Sequence, residues 1–467
     1  MGDYDLLTNR IDEANRSIRK LDQYYRGIQP IGYLHPEVAD AARGRLQSLV
    51  INYPALVCNA VDDRLGVTGF RMDDQDADEE LWRIWQANDL DEWAPQCHID
   101  SLIYGRSFAM VWPDPEDPTT PRISVESASQ MAVEYDPTTR RIIKAAKQWA
   151  EGDEKFLTIY SPTRIERYWS DAGAGAAAEW RLRTDPIQNI MGVVPVVPFI
   201  NRPRLDRPMG ESEMARILPL ADAVNKLATD LMVSAEYHAM PRRWATGIDL
   251  GGSETALERT AAVARQRWTE ATAGSVWLSE SQDVKFGQFS EASLDNFTKA
   301  IEMFAGKIAA LSGLPPHYLG MQGSNPTSAD AIRSSEASLV SIVKGKQVIL
   351  GGAWERVMRL AILMRDGKVD PAAKSMETIW RDPATPTIAQ QADAIFKLRT
   401  GGIIDARQAQ EDLGYSPVQI ERMQDRREEA LAAGLPDPLE LAKPKIAAVE
   451  VAPEVPPLLM PEMNTPA

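Results

Sequence analysis

Apolar side chains recur along this chain in changing rhythms, and the rhythms divide it into segments. Over the first seventy residues Ile11, Ile18, Leu21 and Tyr25 fall at helical spacing, and residues 35–65 continue in that style with a break at Pro54. The run LWRIWQANDLDEWAPQCHIDSLIYG (81–105) predicts further helix, with Trp82, Trp85, Leu90 and Trp93 as core anchors. Leu102 and Phe108 should join that core, since bulky residues in helices and strands usually pack inside. From Ser107 the rhythm shortens. SFAMVW, ISVESAS, MAVEYD, RIIKAAKQWA, KFLTIYS and RIERYWS are short strand-type runs separated by Pro, Asp and Gly. DAGAGAAAEW (171–180) predicts a flexible hairpin tip between two such strands. GVVPVVPFI (192–200) carries too many prolines for a central strand and reads as an extended edge or buried segment.

After Gly210 the helical rhythm returns in stricter form. Met214, Ile217, Ala221, Val224, Ala228, Leu231 and Ala235 alternate spacings of three and four, and Leu294, Phe297, Ile301, Phe304, Ile308 and Leu311 repeat the pattern. Such heptads fit helices packed lengthwise on neighbours, although two ordinary amphipathic core helices would show them too. The first would be about 45 Å long at 1.5 Å per residue. Between the two lies an α/β insert: RRWATGI as a strand, SETALERTAAVARQRW as a helix, SVWL and VKFGQF as strands. Ser253 or Thr255 can cap its helix, with Glu258 in capping-box register to Thr255. Gly313 is a natural C-cap and opens a Pro- and Gly-rich loop, LPPHYLGMQGSNPTS. A new helix should run from near Ser328 toward Met364, bending at Gly351 and Gly352. Short helices follow, and the proline-dense last thirty or so residues predict an unstructured tail. The fold class is α+β, mainly helical.

Charge and chemistry narrow the function. With 51 Lys+Arg against 67 Asp+Glu the net charge is −16. Proteins that grip nucleic acid by neutralising phosphates need a basic surface, so tight gripping is disfavoured, while a protein past which DNA slides is not. No stretch approaches the roughly 18–20 apolar residues of a membrane span, so no membrane role is expected. The acidic opening GDYDLLTNRIDEANRS does not read as a secretory signal, and two cysteines, Cys58 and Cys97, supply no disulfide framework; both suit a reducing compartment. The histidines are His35, His98, His238 and His317, and Cys97–His98 reads as a helical cysteine beside a semi-buried histidine rather than a metal pair. No phosphate-binding glycine loop or nucleophile elbow occurs. The acidic run from Asp73 to Glu80 reads as a solvated lead-in to a helix N-terminus. No catalytic residue, metal site or cofactor is therefore expected. The rival is a metal-dependent carboxylate hydrolase or nuclease using Asp73, Asp74, Asp76 and Asp78.

The order of segments resembles the portal proteins of tailed bacteriophages, of the siphophage type common in actinobacterial phages. DSLIYGRSFAMV (100–111), VEYDPTTRR (133–141), PVVPFINRP (195–203), GLPPHYLGMQGSNPTSADAIRSSEASL (313–339) and ADAIFKLRTGGI (392–403) carry the resemblance. It implies a ring, usually of twelve subunits, at one vertex of the capsid. Residues 1–210 would form the wing, 211–241 and 291–312 the stem helices, and 242–290 the clip. The tunnel loop would be 313–328, the long wing helix and its return 329–381, the crown 382–435, and the tail 436–467. Stem packing would fall to Ile217, Val224, Leu231, Phe297, Ile301, Phe304 and Ile308. Pro315, Pro316, His317, Met321, Gln322, Ser324 and Asn325 would face double-stranded DNA. Arg242, Arg243, Arg265 and Arg267 would give the clip a basic docking face for the terminase large subunit and then the head–tail connector or adaptor. The resemblance further implies contacts with the major capsid protein and scaffold, residence in the virion, and assembly in the host cytoplasm. A scaffold or connector is the milder alternative.

Overall fold

The computed structural model describes residues 3–30, 49–72, 77–171, 179–239, 243–246, 285–288, 294–321, 328–384 and 388–434. Helix α1 (Asp3–Arg26) buries Leu7, Ile11, Ile18 and Tyr24. Leu7 and Ile11 pack on Ala132, Ala146, Leu157 and Ile159 of a sheet. Helix α2 (Tyr53–Asp62) begins where Asn52 accepts a hydrogen bond from the Ala55 amide, so Pro54 sits in its first turn, where a missing N–H costs nothing. Strand β1 is Val67–Arg71. Asp78 then caps α3 (Glu79–Ala87), accepting from the Leu81 amide at 2.9 Å, as the acidic run suggested.

Helix α4 (Leu90–Tyr104) turns Leu90, Ala94, Cys97, His98, Ser101 and Leu102 inward. Trp93, expected as a core anchor, is 45% exposed, because it falls beside that stripe rather than on it. The β-type runs become β2 (Arg106–Trp112), β3 (Arg122–Glu126), β4 (Met131–Tyr135), β5 (Ile142–Glu151), β6 (Glu154–Tyr160), β7 (Arg164–Asp171), β8 (Arg181–Leu182), β9 (Ile187–Gln188) and β10 (Val196–Ile200). One sheet has the order β10–β2–β3; the other runs β4–β5–β6–β7–β8, with β9 also on β7. Pro198 lies in edge strand β10, where a proline leaves no ladder bond unmade. The tip between β7 and β8 (172–178) lies outside the described residues.

The longest element among the described residues is α7 (Ala329–Asp366), 38 residues opened by the Ser328 cap and closed by Gly367; α5 and α6 belong to the hairpin described below. It runs on through Gly351 and Gly352, where a bend was expected. Gly351 serves another purpose: a Cβ there would lie 3.0 Å from Trp380 Nε1 and 3.4 Å from Thr378 Cβ. The missing side chain lets strand β13 (Glu377–Trp380), which pairs with β1, cross close to the helix, and Thr378 Oγ1 donates to the Gly351 carbonyl. Trp354 centres the main core, with ring centroids 4.7 Å from Trp85 and 4.6 Å from Phe199. His98 is not semi-buried but fully enclosed; its Nε2 accepts from Trp354 Nε1 at 2.8 Å, and burial pushes its pKa down to about 3. The neutral imidazole is therefore a packing element.

Helices α8 (Ile388–Thr400), α9 (Ala406–Asp412) and α10 (Pro417–Ala432) follow, the last opened by a capping box between Ser416 and Gln419. They dock on the N-terminal part of the chain through Arg71 and buried Glu411 at 2.7 Å, and through α10 against α3.

Candidate functional site

The two heptad runs form a helical hairpin. α5 spans Leu218–Ala239 and packs on α6, Asp295–Ser312. At 22 residues α5 measures about 33 Å rather than 45 Å. Pro219 marks its first turn, and Met214 and Ile217 lie in the turns before it, buried but outside the helix. Coverage is graded along the hairpin. Ile217, Val224, Ala228 and Ile308 are buried, while Leu231, Phe297, Ile301 and Phe304 are half-buried. Met232, Met303 and Leu311 are exposed. The base is pinned by Tyr24, whose hydroxyl donates to Asp222 at 2.9 Å, and by Asn225 Oδ1, which accepts from the Ile51 amide at 2.8 Å. At the other end α5 runs into β11 (Arg243–Thr246), which pairs antiparallel with β12 (Lys285–Gln288) ahead of α6. Arg243 opens β11 opposite Gln288. Arg242, Arg265 and Arg267, with the insert's helix and its SVWL strand, lie outside the described residues.

The loop after α6 is folded over its first half. Gly313 caps α6 at φ +71°, and a Cβ there would come 2.5 Å from Ile342 Cδ1. Pro316–Leu319 forms a 3₁₀ turn, and Leu314, Pro315 and Leu319 are buried. Tyr318 ties the turn down: its hydroxyl donates to Glu336 at 2.8 Å and accepts from Arg64, which itself lies 3.2 Å from Glu336. Pro316 is exposed, and His317 and Met321 are half-buried. The side chain of Pro315 thus points into protein rather than toward a passing ligand, which corrects its assignment to the tunnel surface. Gln322, Ser324 and Asn325 lie outside the described residues.

Where β10, the approach to α5 and α7 meet, Glu213 sits 3% exposed. Arg202 Nε donates to it at 2.7 Å, with a second, short bond from the same guanidinium, and Lys346 Nζ lies 2.7 Å away. Asn201 donates to Glu213 at 3.1 Å and accepts from Lys346. Burial alone would raise the Glu213 pKa, but the bonds and charges of Arg202 and Lys346 outweigh it and hold the carboxyl at about 2. The cluster ties the end of β10, the approach to α5 and α7 together.

The chain matches the family model described as phage portal protein, SPP1 Gp6-like, over residues 5–431. It belongs to that family. The portal chain is 38% identical over 450 residues to the portal protein of Mycobacterium phage D29, covering 92% of this chain and 89% of that one. It is 36% identical over 452 residues to the portal protein of Mycobacterium phage L5, with 92% and 88% covered. A chain from the solved virion of a native gene transfer agent particle aligns at a TM-score of 0.48 and 13% identity, over 86% of this chain and 99% of that one. Phage portal proteins are structural components of the virion.

Two residue groups in this portal chain escaped the sequence reading, the Glu213 cluster and the Arg64–Tyr318–Glu336 anchor. A signal for both was present. Glu336, Leu339, Val343, Lys346 and Leu350 continue one spacing of three and four, so a glutamate and a lysine occupy core positions of α7. A charge on an apolar stripe needs a buried partner. Among the described residues no three His, Cys, Asp or Glu side chains gather closely enough to hold a metal ion. Asp78 is engaged as a helix cap, and Asp73, Asp74 and Asp76 lie outside the described residues. No helix among the described residues is long and apolar enough to cross a membrane.

Proposed function

We propose that copies of this chain close into a ring, of twelve subunits, through which double-stranded DNA enters and leaves the phage head. The observation that supports this most directly is the hairpin of α5 and α6 with strands β11 and β12 at its far end. Its base is held by the body, while Met232, Met303 and Leu311 are left uncovered, as suits helices that pack against the next subunit. In this reading α5 and α6 are the stem, and the insert between them is the clip. The clip docks the terminase large subunit during packaging and the head–tail connector afterwards. Residues 1–210 form the wing, in contact with the major capsid protein and scaffold, and α8–α10 form the crown. Segment 316–328, without buried Pro315, faces the DNA. It lacks lysine and arginine, so it touches phosphates without gripping them. Net negative charge acts in the same direction, since strong attraction would brake a moving polyanion. The chain performs no catalysis of its own and assembles in the host cytoplasm.

Negative-stain electron microscopy of the purified chain tests the ring. Closed rings with a central hole are expected; monomers that cleave DNA with magnesium would overturn the reading. Shortening Gln322–Asn325 should leave rings intact and lower the DNA packaged or retained per head, and normal full-length genomes would remove the loop from the channel.

A further inference from the structure

The six-stranded sheet reaches beyond the three-stranded sheet that covers it. Tyr160 and Ile165 are buried against Phe108 and Met110, but on the same face Trp149 of β5 lies further along, past the cover, where with Arg183 it shields the buried Phe156 of β6. The overhang leaves a cleft of about 560 Å³ whose lining includes Trp112, Trp149, Phe156, Arg122, Arg167 and Arg183. Trp149 and Phe156 stack at 5.4 Å, and the Arg183 guanidinium lies 5.1 Å from the Phe156 ring centre. Arg122 shares its charge with Asp114 at 3.2 Å. Arg167 and Arg183 have no ion pair among the described residues, and no carboxylate lines the cleft.

Aromatic walls with uncompensated arginines fit an extended, proline-rich, acidic strand. Pyrrolidine rings lie flat on aromatic faces, and a polyproline II segment is ordered at little entropic cost. The chain itself supplies that chemistry. Beyond Lys445 its sequence carries Glu450, Glu454 and Glu462 with no lysine or arginine, and Pro453-Glu454-Val455-Pro456 is a P-x-x-P motif followed by Pro457. The route is short enough. α10 packs against α3, and Arg83 of α3 donates to Thr120, two residues from Arg122 at the cleft. Residues 435–452 can extend about 55 Å at 3.1 Å each, against about 24 Å for the length of α10.

We propose that this cleft is the docking site for the proline-rich acidic segment 450–457 of the same polypeptide. Prolines 453, 456 and 457 rest on Trp112 and Trp149, and Glu450 and Glu454 pair with Arg167 and Arg183. The tail thereby straps the C-terminal helices to the β-rich face.

The test places a photoreactive benzoylphenylalanine at Val455 in the full chain and maps crosslinks by mass spectrometry. Crosslinks to peptides within 112–122 and 144–183 of the same molecule are expected, and mixed isotope-labelled chains check that the link joins one chain to itself rather than to its neighbour. Arg167→Glu with Arg183→Glu, both exposed, should cut the yield about tenfold, as the loss of roughly 1.4 kcal/mol requires. Pro453→Ala with Pro456→Ala should do the same. Crosslinks that land elsewhere, a yield unchanged in both variants, or a different virion protein seated in the cleft while Val455 stays unlinked would each overturn the proposal.

Discussion

Replacing Glu213 by glutamine tests the buried charge cluster at the root of the hairpin. The carboxyl's pKa of about 2, against its ordinary 4.5, corresponds to about 3.4 kcal/mol at 1.36 kcal/mol per unit. Because the folded pKa is the lower one, this stability is fully present above pH 4.5 and is lost as pH falls toward 2. In Glu213→Gln the buried ammonium of Lys346 and the partly exposed guanidinium of Arg202 lose their counter-charge, so a loss of about 3 kcal/mol at pH 7 is expected. The gap between wild type and variant should narrow by about 1.4 kcal/mol on going to pH 3.5, since the wild type alone surrenders the ionisation term. Hydrogen exchange of peptides covering 199–217 and 340–350 reads the local opening, and urea unfolding reads the whole. Adding Lys346→Met should recover part of the loss, as only the partly exposed Arg202 is then left without its counter-charge. A gap of the same size at pH 7 and pH 3.5, or no gap at all, would show that Glu213 is not held as an ion.

The core and turn positions allow paired substitutions with opposite expectations. Trp85→Ala removes a side chain 1% exposed that stacks on Trp82 and meets Phe70 tilted and Trp354 edge-on; it should cost about 3–5 kcal/mol, against about 0.5 or less for Trp93→Ala, and calorimetry of the two variants decides. Gly313→Ala meets both a left-handed backbone and the Ile342 methyl and should lose about 2–4 kcal/mol, whereas Gly320→Ala, at φ +73° with open space around it, should lose about 1. Glu411→Ala frees Arg71 and should weaken docking of α8–α10 by about 2 kcal/mol, seen as faster exchange in 388–432 with the α5–α6 hairpin unchanged.

The sequence rhythm revealed elements better than their ends or their roles. Heptad spacing identified both hairpin helices but carried the first back to Met214, because the buried turns that precede the helix keep its spacing; Pro219 marked the true start. Proline density in GVVPVVPFI correctly pointed to an edge strand, since the missing N–H restricts where such a strand can sit. Gly351 and Gly352 suggested a bend, yet glycine inside a helix also arises from close approach, and only the strand that crosses there distinguishes the two. Trp93 shows the same limit: hydrophobicity marks it for the interior, and a shift of about one hundred degrees around α4 places it outside. The Glu213 cluster joins positions 201, 202, 213 and 346, and no local pattern pairs residues so far apart. The folding of segment 313–321 was hidden for a related reason, because its anchor Arg64 comes from α2's end.

Helix α7 is held unevenly. From Glu336 to Ile362 it repeatedly sinks side chains into the core, while between residues 331 and 335 none is buried. Mechanically it is a beam seated along most of its length with a short arm of unburied side chains at its start, and the first buried residue after that arm is Glu336, which also grips Tyr318. At 1.5 Å per residue the arm from Glu336 to Ala329 is about 10 Å long, so a tilt of about ten degrees swings its tip by about 2 Å. The segment joined to that tip is the one that follows Met321. The carboxylate at the root of the arm is thus also the one that holds the 3₁₀ turn, so a single side chain bonds the two elements between which that segment runs.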